Sequence, residues 1–278
     1  MSLRIDAHQH YWSPIHGDYG WLVPTGATAP ICRDFGVADL HPLLDATGVD
    51  ATVLVQAAPS EAETWRLLDI AARPGSRVIG VVGWCDFEAA DAAERVRRLA
   101  AQPLLKGLRP MLQDLPDTRW ILRRDIEPAL AAMQASDLVL DLLIKPVHLD
   151  ATLEFAKRWP GLRMVIDHAA KPVVDGAHFT QWSIGMRALA RETHLHCKLS
   201  GLMTQLPPGG SPGDLQPHVE LLLAEFGPRR LIWGSDWPVL TLAADYDLWH
   251  ALSRRWLARL SEDDVARVFG RNAMAVYG

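Results

Sequence analysis

Cysteine is scarce in this chain and widely spaced. Cys32, Cys85 and Cys197 are odd in number and far apart, which leaves no close pair for a zinc ribbon or a redox motif. Each reads as a small buried hydrophobe. Basic charge is thin as well: 28 Lys and Arg against 33 Asp and Glu give a net charge of −5. No basic block of the kind a phosphate backbone needs is present, so nucleic acid is not expected as a partner. The densest run, Arg95-Val96-Arg97-Arg98, reads as the solvated face of a helix. No uninterrupted apolar stretch is long enough to span a bilayer. The N-terminus lacks the cationic start and apolar segment of a secretory signal. A soluble, cytoplasmic protein without a membrane partner is therefore expected. Internal repeats, a domain linker and a Gly-rich dinucleotide fingerprint after the first strand are all missing.

What remains is a regular alternation over 278 residues, of which 49% are hydrophobic, enough for a sizeable core. Short β-branched or apolar runs predict strands at Leu3–His8, Ala51–Ala57, Val78–Cys85, Leu104–Arg109, Val139–Lys145, Arg163–His168, Leu195–Leu199 and Leu231–Gly234. Helical patterns follow at Ala38–Ala46, Glu61–Ala72, Ala89–Ala101, Ile121–Ala135, Ala151–Arg158, Thr180–Glu192, Leu215–Glu225 and Tyr246–Ala258. A last helix over Glu262–Phe269 has Ser261 as N-cap and a stop near Gly270. Ser60-Glu61-Ala62-Glu63 has the form of a capping box. Eight strand–helix units predict an α/β protein, a single-domain (β/α)8 TIM barrel over residues 1–278. The long loop Tyr11–Gly36 and the segment Pro207–Gly213 follow strand ends, where such a barrel builds its active site.

Polar groups collect at those strand ends. His8 and His10 are two residues apart, so on a strand they share a face. With His168 and Asp236 they converge at the mouth as three imidazoles and one carboxylate, a plausible donor set for one zinc-type divalent metal. Asp236 is then placed to deprotonate a water. Arg109 and Lys145 end strands four and five; Gln56, Gln113 and His148 stand near them. Trp12, Trp84 and Trp237 offer flat apolar surface for a sugar ring or lactone. Lys198 and Ser200 share a face whose direction the pattern leaves open. Asp6 has the parity of the two histidines but lies deeper, as a buried partner behind them.

Three segments carry a family resemblance: Asp6-Ala7-His8-Gln9-His10, Asp167-His168 and Gly234-Ser235-Asp236-Trp237-Pro238. Through them the chain resembles the amidohydrolase superfamily over its whole length. Val55-Gln56-Ala57, Lys106-Gly107-Leu108-Arg109-Pro110-Met111-Leu112-Gln113 and Lys198-Leu199-Ser200-Gly201 narrow the resemblance to the sugar-acid lactonase branch, of the L-fuconolactonase type. The resemblance implies a barrel that hydrolyses a small-molecule aldonolactone to its sugar acid, with His8, His10, His168 and Asp236 as catalytic groups. Dinuclear relatives use a bridging Lys or Glu on strand four and a His on strand five. Here Arg109-Pro110 and Lys145-Pro146 stand there, so at most one metal is implied, and the branch includes enzymes that need none. Arg109, Lys145 and the histidines then stabilise the oxyanion. The alternative is a metal-dependent decarboxylase of an unsaturated or aromatic acid, which chelation would abolish. A non-catalytic sugar-acid sensor has no reason to keep a base beside a water site.

Overall fold

A computed structural model describes residues 3–278. Its eight strands are β1 (Ile5–Gln9), β2 (Ala51–Val55), β3 (Val78–Gly83), β4 (Leu105–Leu108), β5 (Val139–Leu142), β6 (Met164–Ile166), β7 (His196–Leu199) and β8 (Leu231–Trp233). They form one parallel sheet in sequence order. The helices are α1 (Val37–Thr47), α2 (Glu61–Ala71), α3 (Ala92–Ala100), α4 (Glu127–Ala135), α5 (Leu149–Arg158), α6 (Phe179–Glu192), α7 (Gln216–Glu225), α8 (Tyr246–Trp256), α9 (Glu262–Ala266) and α10 (Asn272–Tyr277). The sheet closes on itself at the mouth. Gln9 and Trp237 form a parallel bridge, the Asp236 amide donates to the His8 carbonyl (2.8 Å), and the His10 amide donates to the Trp237 carbonyl (2.8 Å). The (β/α)8 barrel read from the sequence is what the chain forms.

Strand alternation separates two apolar layers. Ile5, Ala7, Val53, Val55, Val82, Val139, Val165 and Ile232 fill the interior, and Ala273, Val276 and Tyr277 of α10 close its floor. Leu54, Leu140, Ile166, Leu199 and Trp233 point the other way, into the cluster shared with the helices. Burying each such branched side chain contributes about 1.5–3 kcal/mol. Among the described residues no helix is long and apolar enough to cross a membrane.

Local chemistry moved two boundaries and redirected one cap. The helix expected over Ile121–Ala135 begins at Glu127, because Pro128 is tolerated only in a first turn. Ser60 caps α2 through the Glu63 amide (3.2 Å). The Glu63 carboxylate, however, accepts from the Ala57 and Ala58 amides and ties the end of β2 to α2. Gly270 does not stop the last helix. The chain passes through a π-helical stretch (Arg267–Arg271) into α10. Gly270 is there for close approach: a Cβ on it would lie 1.9 Å from the Leu3 carbonyl oxygen.

Candidate active site

A bulge in β1 builds the centre of the site. Asp6 pairs with Thr52 and Gln9 with Leu54, so three steps on β1 oppose two on β2. Gln9 therefore faces outward, donating to Thr52 Oγ1 (3.1 Å), and His8 and His10 face inward. Asp6 stays on the outer face, which corrects its expected place behind the histidines. It accepts from the amides of Ser235 (2.8 Å) and His8 (3.2 Å) and from the Tyr246 hydroxyl (3.0 Å). Asp6 thus braces the backbone on both sides of the barrel seam.

Three imidazoles surround one carboxylate oxygen. Asp236 Oδ1 lies 3.3 Å from His10 Nε2, 3.7 Å from His168 Nε2 and 3.8 Å from His8 Nε2. Asp236 itself has φ +63°, a left-handed conformation that turns its carboxylate inward past the end of β8. His10 Nδ1 donates to the Val55 carbonyl (2.8 Å), so in the neutral ring Nε2 presents a lone pair toward Asp236. Two acceptors facing one another at 3.3 Å call for a proton or a cation between them. The ligand atoms of His8, His10 and Asp236 also lie within 4.8 Å of one another. The set fits a divalent metal on these grounds. Burial alone would raise the Asp236 carboxyl. The adjacent His168, the His10 hydrogen bond and His8 outweigh burial and hold it well below the usual carboxylate range. Burial lowers His168 to about 4, against the pull of Asp236.

Beneath this set lies a layer of buried charge. Lys198 and Ser200 point inward. Lys198 Nζ donates to Asp141 and sits 3.0 Å from Asp167 Oδ1 and 3.1 Å from His8 Nδ1. The Tyr277 hydroxyl donates to Asp141 (2.7 Å). Arg109 donates to Asp167 Oδ2 (3.2 Å) and to the Gln56 carbonyl, and its Nη1 lies 3.3 Å from His8 Nε2. Each His8 nitrogen thus faces one cation and one carboxylate. Two tautomers fit: Nδ1 accepts from Lys198 while Nε2–H points to Asp236, or Nδ1–H points to Asp167 (3.4 Å) and the Nε2 lone pair faces Arg109 Nη1.

His168 opens a run of four left-handed residues, with φ of 51°, 51°, 58° and 47° from His168 to Lys171. None is glycine, and each such residue costs about 1–2 kcal/mol. Trp182 Nε1 on α6 pins the turn through the Ala169 carbonyl (2.8 Å), and Ser200 Oγ meets His168 Nδ1 (2.9 Å). Above the imidazoles opens a cavity of about 300 Å³. Its polar wall includes His10, His168, Asp236, Arg109 and Lys171, and its apolar wall Trp21, Met111, Leu143, Val239 and Leu242.

The other expected site residues divide. Gln113 lines the cavity. Gln56 is fully buried and donates to the Arg109 carbonyl (2.7 Å), clamping that residue. Trp12 packs 6.0 Å from the His10 ring and donates to the carbonyls of Ile31 and Arg33, behind the cavity wall. Trp237 is buried against Phe35 and Tyr11. Trp84 is half-buried, held through its backbone by Thr64. His148 turns back on the Lys145 backbone. Lys145 itself is exposed, its Nζ on the Gln113 carbonyl (3.1 Å), because β5 has ended by Leu142 and Pro146 redirects the chain. Of these seven only Gln113 lines the cavity; Gln56, Trp12, Trp237, Trp84, His148 and Lys145 stand outside it. Lys171, Trp21 and Met111 take wall positions that no strand-end rule pointed to.

Residues 5–278 match the family described as Amidohydrolase. The chain belongs to the amidohydrolase family. This amidohydrolase is 47% identical to the L-fucono-1,5-lactonase of Burkholderia ambifaria over 281 residues, covering 100% of the chain and 96% of that relative. It is 37% identical to the L-fucono-1,5-lactonase of Burkholderia multivorans, covering 99% and 96%. A crystal structure of an amidohydrolase from B. multivorans with bound zinc superimposes with a TM-score of 0.91 at 37% identity over 99% of both chains.

Proposed function

We propose that this amidohydrolase opens the lactone of a sugar acid, with L-fucono-1,5-lactone as the lead substrate. The observation that carries the reading is the convergence of three imidazoles on Asp236 Oδ1 at the floor of the cavity. Asp236, ionised at neutral pH, takes a proton from a water aligned on the lactone carbonyl. The water oxygen bonds to C1, and the carbonyl becomes an oxyanion beside His168 and Arg109. The C1–ring oxygen bond then breaks, and Asp236 returns its proton to the departing ring oxygen. Gln56 and Asp167 hold Arg109 in place from behind. His8, His10, His168 and Asp236 would hold a divalent metal, zinc by their donor chemistry; when bound, it supplies positive charge next to the developing oxyanion.

The two lactonase relatives and the full-length match support this substrate class. The test is a pH-indicator assay on a panel of aldonolactones, with and without chelator, for the wild type and Asp236→Asn. The variant is expected to lose about 10²–10⁴-fold in rate while staying folded. A folded Asp236→Asn protein that opens lactones at near wild-type rate would discard the assignment.

A further inference from the structure

The cations around the cavity differ in what already holds them. Both Nη groups of the Arg109 guanidinium are engaged, by Asp167 and the Gln56 carbonyl, while its Nε is buried without a partner. Lys198 lies below His8 between Asp141 and Asp167, with no exposure. Lys145 is out in solvent on the Gln113 carbonyl. Lys171 is half-buried and lines the cavity with Asp236, His168 and Arg109. Among the described residues its ammonium has no hydrogen-bond or ion-pair partner, and burial lowers its pKa.

Its placement is also costly. It closes a run of four consecutive left-handed residues, and its amide donates back to the His168 carbonyl (2.8 Å). Strain of this kind persists only where surrounding structure enforces it, and it gathers at functional sites. Here one turn delivers an imidazole and an unpaired ammonium to the same cavity.

Lactone opening supplies the missing partner. The substrate is neutral. Once water has added to C1 and the ring oxygen has left as a hydroxyl, the new carboxyl gives its proton to solvent and becomes an anion. That anion forms beside the Asp236 carboxylate, with Asp114 also on the wall, so it is repelled unless a free cation meets it. Resting on the lactonase reading above, we propose that Lys171 joins His168 and Arg109 at the C1 oxyanion and is then the cation that binds the carboxylate of the ring-opened sugar acid. Its attraction grows along the reaction, from carbonyl dipole to full charge. It therefore speeds ring opening and holds back product.

The experiment compares wild type with Lys171→Gln, Lys171→Met and Lys171→Arg, using L-fucono-1,5-lactone as substrate and the corresponding open-chain aldonate as inhibitor. Lys171→Gln is expected to lower kcat about 10–100-fold and raise the aldonate Ki at least about tenfold, with KM for the neutral lactone changing by less than about threefold. Lys171→Arg should keep most of the aldonate affinity. Lys171→Met removes an uncompensated charge and keeps the stem, so its melting temperature should equal or exceed that of the wild type. A structural role would weaken lactone and aldonate alike. An arm free of mutation titrates wild type with the aldonate and with its neutral alditol, and the anion should bind at least about tenfold tighter. Aldonate binding unchanged in folded Lys171→Gln and Lys171→Met, or equal to alditol binding in the wild type, overturns the proposal. A wild type that opens no aldonolactone overturns the lactonase reading and this proposal with it.

Discussion

Lys198→Met should unfold this barrel far more easily than its distance from solvent suggests. Lys198, Asp141 and Asp167 are all fully buried, and the ammonium is the group that sits between the two carboxylates. Asp141 is already raised to about 6 by burial despite Lys198. Asp167 is held well below the usual range because Lys198, His8 and Arg109 outweigh its burial. Removing the ammonium strands charge that cannot reach water. Breaking a buried pair from one side costs about 3–5 kcal/mol. At about 2–4 °C per kcal/mol for a domain near this size, the melting temperature should fall on the order of 10 °C. Differential scanning calorimetry at neutral pH reads this directly. The double variant Lys198→Met/Asp141→Asn, which also removes one stranded carboxylate, should recover roughly half of the loss. If Lys198→Met melts within about 2 °C of wild type, the layer does not carry the energy assigned to it.

Gly201→Ala places a Cβ about where a 2.6 Å contact with His168 Nδ1 would arise, on a residue with φ +62°. It should cost on the order of 100-fold in lactone kcat/KM by displacing that ring, and a value within twofold of wild type would contradict this. Glu63 is raised to about 7 by burial, in spite of the Ala58 and Ala57 amides that bind it. Its folded-state pKa exceeds the unfolded value, so its contribution is present below about pH 4.5 and is lost as pH rises through about 7, up to about 3 kcal/mol. Glu63→Gln should flatten the decline in stability between about pH 5 and 8 seen by denaturant titration, and an unchanged slope would refute the buried, proton-linked role.

The barrel was legible because its cause is periodic. Eight apolar runs, each followed by a helical pattern, admit few other closed arrangements, and strand ends then nominate His8, His10, His168 and Asp236 together. Legibility failed wherever the backbone broke its period. The β1 bulge reversed the face of Asp6, and no glycine or proline within Asp6–Gln9 marks it. The left-handed run from His168 to Lys171 is built from His, Ala, Ala and Lys, residues that carry no turn signal, so Lys171 was passed over and Lys145 took its place. The direction of Lys198 was open because the alternation of a four-residue strand has no end to anchor it. Its neighbours Cys197 and Leu199, both turned to the helices, settle it only in the folded chain.

The irregular step in β1 has a consequence for anyone reshaping this enzyme. Through it, a strand that turns two imidazoles into the barrel also presents Asp6 to the outer shell, where Tyr246 of α8 grips one oxygen and the Ser235 amide the other. Helix α8 is thereby wired to the peptide just ahead of Asp236. Repacking around Tyr246 would retune the proposed base, Asp236, from outside, so a library meant to vary surface or thermal behaviour should leave that hydroxyl in place, and one meant to vary turnover has a handle outside the cavity.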